Sequence, residues 1–428
     1  MSRLKVLFFS YYWPPAGGPG VQRAVKFCKY LSAFGIDPIM VTLNEKKAHY
    51  PVLDFSLMKE IEHVETHKTD TWEPFSLAGL KGKKDEVSFF NSADVSIKTK
   101  AMRFLRGNLF IPDPRRFWKK YALRKADEII KIHDIKAIIT TGPPHSVHLI
   151  GLSLQKKYHI PWLADFRDPW SDIYFMKTLF RIPFIHEIDK SLEKKVLESA
   201  DAVVCIGESL KSNLCSKSSK NLSEKIKVIY NGFDESDFTY IEKTHNHKII
   251  ISYVGTLAPK HRIENFLNAL ECLESHNFEF HVVGDIHPKT KNSIESILQK
   301  TPFKLWGRLS HDEAVVKTST SDLLLLSIFD DSLEGSVPAK LFEYLGSKNP
   351  IICLGPPNGE SANIIKKCQS GETFDFDDLN GMLEFLKNFP KMNIKPNIQE
   401  LENFSRKKLT ESLAKTLLQI QHNSIDCS

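Results

Sequence analysis

Short apolar runs alternate with amphipathic stretches of helical spacing along almost the whole chain, and this alternation restricts the fold more than any other feature. Several runs are apolar at nearly every position, among them AIIT, DAVVCI, KIIISYVG and DLLLLS. Strands have this composition when helices cover both faces of a parallel sheet. The pattern therefore predicts an α/β protein with doubly wound parallel sheets. Strands are expected at residues 5–10, 38–42, 137–141, 162–165, 202–206, 227–230, 248–254, 279–283, 303–306, 323–327 and 351–354.

The alternation stops at residues 233–247, FDESDFTYIEKTHNH, which are polar, charged and poor in aliphatic side chains. A stretch of this composition is typical of a connection between domains, and a chain of 428 residues is long enough for two domains. We expect an N-terminal domain at 1–236, a linker at 237–247 and a C-terminal domain at 248–400. Residues 401–428 follow as one amphipathic helix that packs back on the N-terminal domain.

Composition excludes several classes of protein. With 42% hydrophobic and 26% charged residues the chain is expected to be globular and soluble, and a net charge of +6 is too small to indicate nucleic-acid binding. The seven cysteines are scattered, which is typical of thiols in a reducing compartment. No signal peptide is recognisable, and the longest apolar run, LLLLSIF, is too short to span a bilayer. A cytoplasmic protein is expected, peripheral at the cytoplasmic membrane.

Residues 98–120 combine basic and aromatic side chains, as in KAMRFLRGNLF and RRFWKKY. Such a mixture on short helices suits a peripheral contact with the inner membrane surface. The alternative, an ordinary solvated face with its apolar side in the core, stays open.

A glycine-rich turn, PPAGGPG, follows the first predicted strand and precedes a stretch of helical spacing. Glycines such as Gly17 and Gly18 allow the backbone to approach a ligand, and free N–H groups at a helix start face an anion. The spacing differs from the dinucleotide-binding pattern G-x-G-x-x-G. A turn whose glycines serve conformation only remains the alternative.

Two segments in the C-terminal half have the chemistry of a diphosphate site. In EGSVPAKLFEYL, Pro338 suits the first turn of a helix, and Lys340 and Glu343 then share one face of it. A cation would lie near bound phosphates and a carboxylate one turn further on, in reach of sugar hydroxyls. In SYVGTLAPKHRI the cationic or potentially cationic residues are Lys260, His261 and Arg262, which follow a strand.

Short motifs spread over nearly the whole chain occur in a recognisable order. After the glycine-rich loop come DFRDPW (165–170), VIYNGFD (228–234), YVGTL (253–257), HVVGD (281–285), LWGRLSHDE (305–313) and VPAKLFEYL (337–345). In this order the chain resembles retaining glycosyltransferases with the GT-B fold. More narrowly, it is similar to the family 4 type of bacterial enzymes that build cell-surface polysaccharides from nucleotide sugars. The resemblance implies two Rossmann-like domains that face each other across a cleft.

The resemblance also implies roles for individual positions. Glu343 corresponds to the family carboxylate that binds the nucleotide ribose, and residues 335–340 to the loop and helix start that hold the donor diphosphate. Gly17 and Gly18 correspond to glycines of the N-terminal domain that close on the same phosphates. The donor-binding residues expected on this basis are Gly17, Gly18, Gly255, Thr256, Lys260, Arg262, Gly307, Arg308, Glu334, Gly335, Ser336, Val337, Lys340 and Glu343.

The chain departs from the family pattern at two places. The family has two glutamates eight positions apart, whereas here Gly335 lies eight positions before Glu343 and Glu334 one position further away. The family also has an arginine where this chain has Thr256, and a Lys-Gly pair where it has His261 followed by arginine. The first change shifts or removes the carboxylate that contacts the sugar. The second change removes the family's phosphate-binding cations, so that a neighbouring residue, Lys260 or Arg262, would have to supply the positive charge beside the phosphates.

The candidate catalytic residues are His145, Asp168 and Lys260. ITTGPPHSVHL places His145 after a strand, where it would orient the acceptor or a sugar hydroxyl; a capping or packing role is the alternative. In DFRDPW we interpret Asp165 and Arg167 as an internal ion pair and Asp168 as the cleft contact. The resemblance implies that no cofactor and no metal are needed, and the sequence agrees in that it has no DxD element in a suitable setting.

The resemblance thus implies a retaining, metal-independent hexosyltransferase that moves a sugar from a nucleoside-diphosphate sugar to a saccharide in polysaccharide biosynthesis, and we expect this acceptor to be lipid-linked. Two alternatives use the same phosphate site. One is a nucleotide-sugar epimerase or hydrolase of this fold, which needs a dedicated acid–base pair. The other is a non-catalytic subunit that binds nucleotide sugars, which the departures at Glu334 and Thr256 keep open.

Overall fold

The computed structural model describes residues 3–47, 50, 53–72, 97–238, 248–273, 277–329 and 337–426. The chain forms two compact units, one of Met1–Tyr230 with Leu409–Ser428 and one of Asn231–Lys408. Each unit is built on a parallel sheet with helices between the strands, which confirms the predicted α/β class. None of the helices in the described ranges is long and apolar enough to cross a membrane.

The first unit contains a seven-stranded sheet in the part of the chain that the structure describes. Its strands are β1 (Leu4–Ser10), β2 (Ile36–Leu43), β3 (Glu65–Thr69), β4 (Ile135–Gly142), β5 (Trp162–Phe166), β6 (Ala202–Cys205) and β7 (Ile226–Val228). They lie in the order β3-β2-β1-β4-β5-β6-β7, and all neighbours are parallel. The chain order reverses between β1 and β4, where ligands of open α/β sheets bind at the carboxyl ends of the strands.

Both faces of this sheet are buried, as the apolar runs predict. Alternate residues of β1 enter different core clusters: Leu7 and Phe9 pack on one face, Val6 and Phe8 on the other. The covering helices are α1 (Pro19–Leu31), α2 (Ile97–Leu109), α3 (Trp118–Ile132), α4 (His148–Tyr158), α5 (Pro183–Ser199) and α6 (Glu208–Cys215). The range of α2 and the first half of α3 fall within residues 75–125, where the periodicity of the sequence gives no clear assignment.

The second unit repeats the design with a six-stranded sheet among its described residues. Its strands are β8 (Ile249–Val254), β9 (Phe278–Val283), β10 (Phe303–Gly307), β11 (Leu323–Ser327), β12 (Ile351–Leu354) and β13 (Gly371–Phe374), in the order β10-β9-β8-β11-β12-β13. The helices are α7 (Glu264–Glu271), α8 (Pro288–Ile297), α9 (His311–Thr320), α10 (Ala339–Ser347), α11 (Glu360–Lys367) and α12 (Leu379–Asn388). Again the order reverses at the central strand, between β8 and β11.

The C-terminal segment is two helices rather than the single helix expected from residue 401 onward. These are α13 (Ile398–Glu402) and α14 (Arg406–Asp426). The break occurs because the backbone between them pairs with Phe233, whose N–H donates to the Phe404 carbonyl at 3.0 Å and whose carbonyl accepts from the Arg406 N–H at 2.7 Å. Further along α14, Leu409, Leu413 and Leu417 belong to a core cluster of the first unit.

Candidate functional site

Three glycines mark the carboxyl ends of neighbouring strands in the second unit. Gly255 follows β8, Gly284 follows β9 and Gly307 ends β10, with φ of +126°, +128° and +69°. An added Cβ at Gly284 would lie 2.3 Å from the Gly255 carbonyl oxygen, so only glycine fits there. The Gly284 N–H donates to the Gly307 carbonyl at 2.7 Å. These turns leave backbone, and not side chains, at the edge of the sheet where ligands bind in such folds.

The Lys340 side chain reaches this edge from α10. Its ammonium group donates a hydrogen bond to the Tyr253 hydroxyl and lies 4.1 Å from the centre of the Tyr253 ring. A Cβ at Gly255 would lie 3.1 Å from Lys340 Nζ, so the glycine leaves the space that the ammonium occupies. Burial lowers the pKa of Lys340 to about 7, although the carboxylate of Glu343 counteracts part of this effect. The side chain therefore changes charge near neutral pH and would be fully protonated beside a bound anion.

Tyr253 and His261 hold the lysine in place. The buried Tyr253 hydroxyl donates to the Thr256 carbonyl at 2.9 Å and lies 3.0 Å from His261 Nε2. The other ring nitrogen of His261 lies 2.9 Å from the backbone nitrogen of Ala258. Burial, with the nearby Lys340 charge, lowers the pKa of His261 to about 4. At neutral pH His261 is thus a neutral positioning residue and supplies no cation.

The other expected cations are directed elsewhere. The Arg262 guanidinium forms an ion pair with Asp377 at 2.6 Å and stacks 5.0 Å from the centre of the Phe376 ring. Lys260 is exposed, and Arg308 forms an ion pair with Asp285 on the surface. Lys340 is consequently the cation that the structure places against the strand end at Gly255.

Glu343 lies one turn after Lys340 on α10 and is partly buried. No residue in the described ranges gives its carboxylate a hydrogen bond. Burial raises the pKa of this carboxyl, Asp237 raises it further, and His311 and Arg406 lower it. Burying a carboxylate that receives no hydrogen bond lowers the stability of the fold. Glu343 is therefore suited to accept hydrogen bonds from a ligand. Of the remaining expected donor residues, Val337 is buried before the helix, while Glu334, Gly335 and Ser336 lie outside the described residues.

In the first unit, the glycine-rich loop leads directly into α1. Gly18 has φ +103° and occupies the position before the helix, which starts with Pro19, while Gly17 is partly buried. The closest contact involves Gly20, the last glycine of the motif, which is not among the expected donor-binding residues. An added Cβ at Gly20 would lie 1.4 Å from Nη1 of Arg167. The missing side chain of Gly20 thus makes room for a guanidinium at the start of α1.

Arg167 and Asp165 do not form the internal ion pair expected from the sequence. The Arg167 side chain donates to the carbonyls of Gly142, at 3.0 Å, and Pro143. Asp165 pairs instead with Arg23 of α1 at 2.8 Å, with both side chains buried. Asp165 and Arg167, two residues apart in one motif, therefore have different partners, because Asp165 belongs to the strand core and Arg167 to the turn after it.

The replacement Gly20→Ala is expected to lower the free energy of unfolding by about 1–3 kcal/mol, because it forces the Arg167 guanidinium away from its two carbonyls. Chemical denaturation of the single variants and of Gly20→Ala/Arg167→Ala measures this effect. In the double variant the clash is absent, so the two costs should be clearly less than additive. Additive costs would show that the contact does not matter.

His145 lies in the loop after β4, with 8% of its surface exposed. Its ring stacks on Trp170 at 5.2 Å between centres, and neither ring nitrogen has a hydrogen-bond partner among the described residues. Burial lowers the pKa of His145 well below its usual value, His148 and Arg167 lower it further, and the nearby Pro169 backbone opposes this shift in part. The stacking on Trp170 is consistent with a packing role, while the ring nitrogens remain available to a ligand.

Neighbouring polar groups fix this loop. The Asp113 carboxylate accepts from the Ser146 N–H and hydroxyl, each at 2.8 Å. The Trp170 indole donates to Asp189 at 2.8 Å, which holds the ring against His145. Asp168 is partly buried with no hydrogen bond from any described residue, and burial raises its pKa to about 6.

The structure also adds a second histidine that sequence reasoning missed. His148 is fully buried; its Nδ1 lies 2.9 Å from the Thr140 hydroxyl and its Nε2 has no partner in the described structure. Burial lowers the pKa of His148 to about 3, so it is neutral. A Cβ at Gly142 would lie 2.7 Å from this Nε2. The sequence signal that could have indicated His148 is its H-x-x-H spacing from His145 in ITTGPPHSVHL.

Solved structures share this fold at low sequence identity. Anabaena Alr3699/HepE in complex with UDP superposes with a TM-score of 0.55, 13% identity and 99% of both chains covered. The lipopolysaccharide outer core galactosyltransferase WaaB gives 0.60 and 14%, covering 97% of this chain and 99% of that one. A putative UDP-N-acetylglucosamine 2-epimerase from Listeria monocytogenes gives 0.51 and 10%, covering 96% and 95%. The fold of the chain is GT-B.

Sequence comparison places the chain in a family of enzymes. No protein of curated function matches it. The family model described as Glycosyltransferase Family 4 matches residues 20–237, which is just over half of the chain. Together with the GT-B neighbours, this match shows that the chain is a member of glycosyltransferase family 4.

Proposed function

We propose that the protein transfers a sugar, with retention of its anomeric configuration, from a nucleoside-diphosphate sugar to a hydroxyl of a saccharide. The observation that carries this proposal is the partly buried Lys340 ammonium against the strand end at Gly255. A cation beside exposed backbone at this edge of an α/β sheet suits a diphosphate. A related fold that holds UDP in HepE supports the same assignment.

In the proposed donor site, Lys340 stabilises the charge that develops on the departing diphosphate, which is the main electrostatic task of the reaction. The backbone at Gly255, Thr256 and Gly307 approaches the phosphates and the base, and Glu343 accepts hydrogen bonds from the ribose. The family resemblance suggests two further groups of donor-binding positions: residues 334–336 in the second unit, and Gly17 and Gly18 in the first. The proposal needs no metal ion, since Lys340 offsets the phosphate charge; unchanged rates after chelation would support this.

The acceptor hydroxyl is proposed to bind to the first unit near His145. Its oxygen forms the bond to the anomeric carbon, the bond from that carbon to the phosphate oxygen breaks, and the proton passes to the leaving phosphate. His145, neutral at physiological pH, is free to hydrogen-bond a hydroxyl of acceptor or sugar. Asp168 can accept a second hydrogen bond. Lys260 is exposed, so its proposed role is limited to stabilising the negative charge of the phosphates.

The physiological acceptor is proposed to be a lipid-linked saccharide at the cytoplasmic face of a membrane, in the synthesis of a cell-surface polysaccharide. The lipopolysaccharide galactosyltransferase WaaB, which has the same fold, supports this assignment. A thermal-shift screen with nucleoside diphosphates and their sugars would identify the donor, because a ligand of the native state raises the melting temperature. Mass spectrometry of the product formed with saccharide and lipid extracts, and its anomeric signals in NMR, then test transfer and retention.

A second candidate function is suggested by the epimerase that shares the fold. An epimerase would change the nucleotide sugar without any acceptor. Incubating the protein with donor alone separates the two functions: an epimerised sugar contradicts the transferase proposal, whereas an unchanged donor supports it. A protein that binds donor and shows neither reaction would be the non-catalytic subunit considered from the sequence.

Replacing His145 by glutamine is expected to lower kcat for transfer about 100-fold and to leave the dissociation constant of the nucleoside diphosphate unchanged, because His145 orients a hydroxyl and does not contact the phosphates. Initial rates and calorimetric titration measure the two quantities. His63→Gln, an exposed histidine of the same unit, is the control. An equal loss in donor affinity would contradict the assigned role.

A further inference from the structure

The helix α2 is oriented with its apolar side toward solvent. Its buried residues are Arg103, Gly107 and Asn108. Its exposed residues recur at helical spacing, and the large ones are 87%, 43%, 48% and 63% exposed: Ile97, Phe104, Leu105 and Leu109. A helix that packs on a protein core has the opposite arrangement. The exposed stripe must therefore have a partner outside the described fold, or remain an unfavourable apolar surface.

A second segment, residues 180–188, is inverted in the same way and is attached to α2. The Arg181 side chain points inward, where it donates to the carbonyls of Gly107 and Pro112 and pairs with Asp189. The large apolar residues on either side of it and in the following turn are exposed: Phe180, Ile182, Phe184 and Ile188. Polar groups therefore hold both elements together while apolar groups face outward.

The backbone is strained at the junction of these elements. Phe180 has φ +49°, a conformation that costs a bulky residue free energy. Asn108 maintains it, since its amide donates to the Phe180 carbonyl at 3.2 Å and its side-chain oxygen accepts from the Ile182 N–H at 2.8 Å. The fold thus uses a buried asparagine to keep Phe180 on the surface, half exposed.

The charge around the apolar residues is almost entirely positive. The helix α2 has no acidic residue, and residues 174–188 contain one, Glu187, which pairs with Lys190. Cationic side chains that reach solvent at this surface are Lys98, Lys100, Arg106 and Lys177. Like charges disfavour a second copy of the same surface. Apolar side chains within a cationic rim fit the boundary of an anionic bilayer, where lysine and arginine contact headgroups.

We propose that the outward face of α2 and residues 180–188 form one membrane-binding surface for anionic lipids. Part of the region predicted from sequence does not belong to it: Trp118 is 1% exposed and donates to Thr69, and Arg115 is buried. Residues 180–188, which the sequence did not indicate, take their place. The surface is independent of the proposed reaction, so failure of one does not imply failure of the other.

Flotation of the full chain with vesicles of phosphatidylcholine, with and without phosphatidylglycerol, tests this proposal. The wild type should bind the anionic vesicles. Phe104→Ser/Phe184→Ser should lower the partition coefficient about tenfold for each substitution, because each removes an aromatic ring from the exposed apolar face. Lys98→Glu/Lys100→Glu should lower anionic binding by at least about fivefold per cation and affect neutral vesicles little.

The controls are Ile132→Ser, which removes a 78% exposed side chain elsewhere in the unit, and Lys131→Glu. Both should bind vesicles as the wild type does. The phenylalanine variant should also melt at the wild-type temperature. A lower melting temperature would show that protein, including residues 73–96, covers the face and would overturn the proposal. The proposal would also be overturned if the wild type did not bind vesicles. The same holds if the wild type were a dimer and the phenylalanine variant were not.

Discussion

Replacing Lys340 with methionine is expected to lower kcat for sugar transfer about 100- to 1000-fold and to weaken binding of the nucleoside diphosphate. A preorganised cation in a partly buried site stabilises phosphate charge far better than an exposed one, and loss of one such group typically costs this much. Methionine keeps the unbranched shape of the side chain. Its packing against Tyr253 should therefore survive, and the change should report on charge.

The pH dependence of stability provides an independent measure of the same residue. The pKa of Lys340 is about 7 in the folded protein against an ordinary value of 10.5. Between these pH values the unfolded chain holds a proton that the folded chain lacks, so this residue makes stability rise with pH across that window. Lys340→Met should remove the rise. Thermal melting at pH 7 to 10 of both proteins measures it.

Lys260→Met is the matched control, because this lysine is exposed on the turn that follows the same strand. Its effect on kcat should be less than about tenfold, as expected for a solvated charge. If Lys260→Met reduced turnover as strongly as Lys340→Met, the phosphate cation would have to be reassigned to Lys260.

Glu343→Gln is expected to weaken binding of the nucleoside diphosphate about 10- to 100-fold without lowering the melting temperature. The carboxylate is partly buried, burial raises its pKa, and no described residue hydrogen-bonds to it. Neutralising it removes a cost of folding at neutral pH, since the folded protein holds a proton more tightly here than the unfolded chain does. A ligand hydroxyl, in contrast, loses a charged acceptor.

Calorimetric titration and thermal melting of Glu343→Gln measure both effects. Glu384→Gln, an exposed glutamate of α12, serves as the control and should change neither quantity. A clear loss of stability with unchanged affinity would assign Glu343 a structural role and contradict its place in the donor site.

Most strands were predictable from the sequence, including the edge strands β7 and β10. Runs such as those of β1, β4 and β11 are apolar on both faces because both faces are buried. The strands β3, ETHKT, and β13, GETF, were missed, and each lies at an edge of its sheet. The side chains of these two strands are mostly polar and partly solvated, so they lack the apolar signal that the other strands carry. The break before α14 was missed because it depends on pairing with Phe233, which is remote in sequence.

The same distinction applies to the candidate sites. Gly255, Lys340 and Glu343 carry recognisable local motifs, and their proximity follows from a strand end and a helix start. Contacts between distant segments were not predictable, as with Gly20 against Arg167 or the replacement of an Arg167–Asp165 pair by Arg23–Asp165. The inverted face of α2 shows the limit most clearly, since an amphipathic pattern does not tell which side is buried.

The central claim is that Lys340 binds the diphosphate of the donor at the strand end of the second unit. Titration of the wild type and Lys340→Met with a panel of nucleoside diphosphates, at pH 8 in buffers of different ionisation enthalpy, tests it most directly. One diphosphate should bind the wild type with uptake of close to one proton, because a bound anion raises the pKa of Lys340 from about 7. Lys340→Met should bind far more weakly and without uptake. Equal binding by both proteins, or binding to the wild type without proton uptake, would contradict the account.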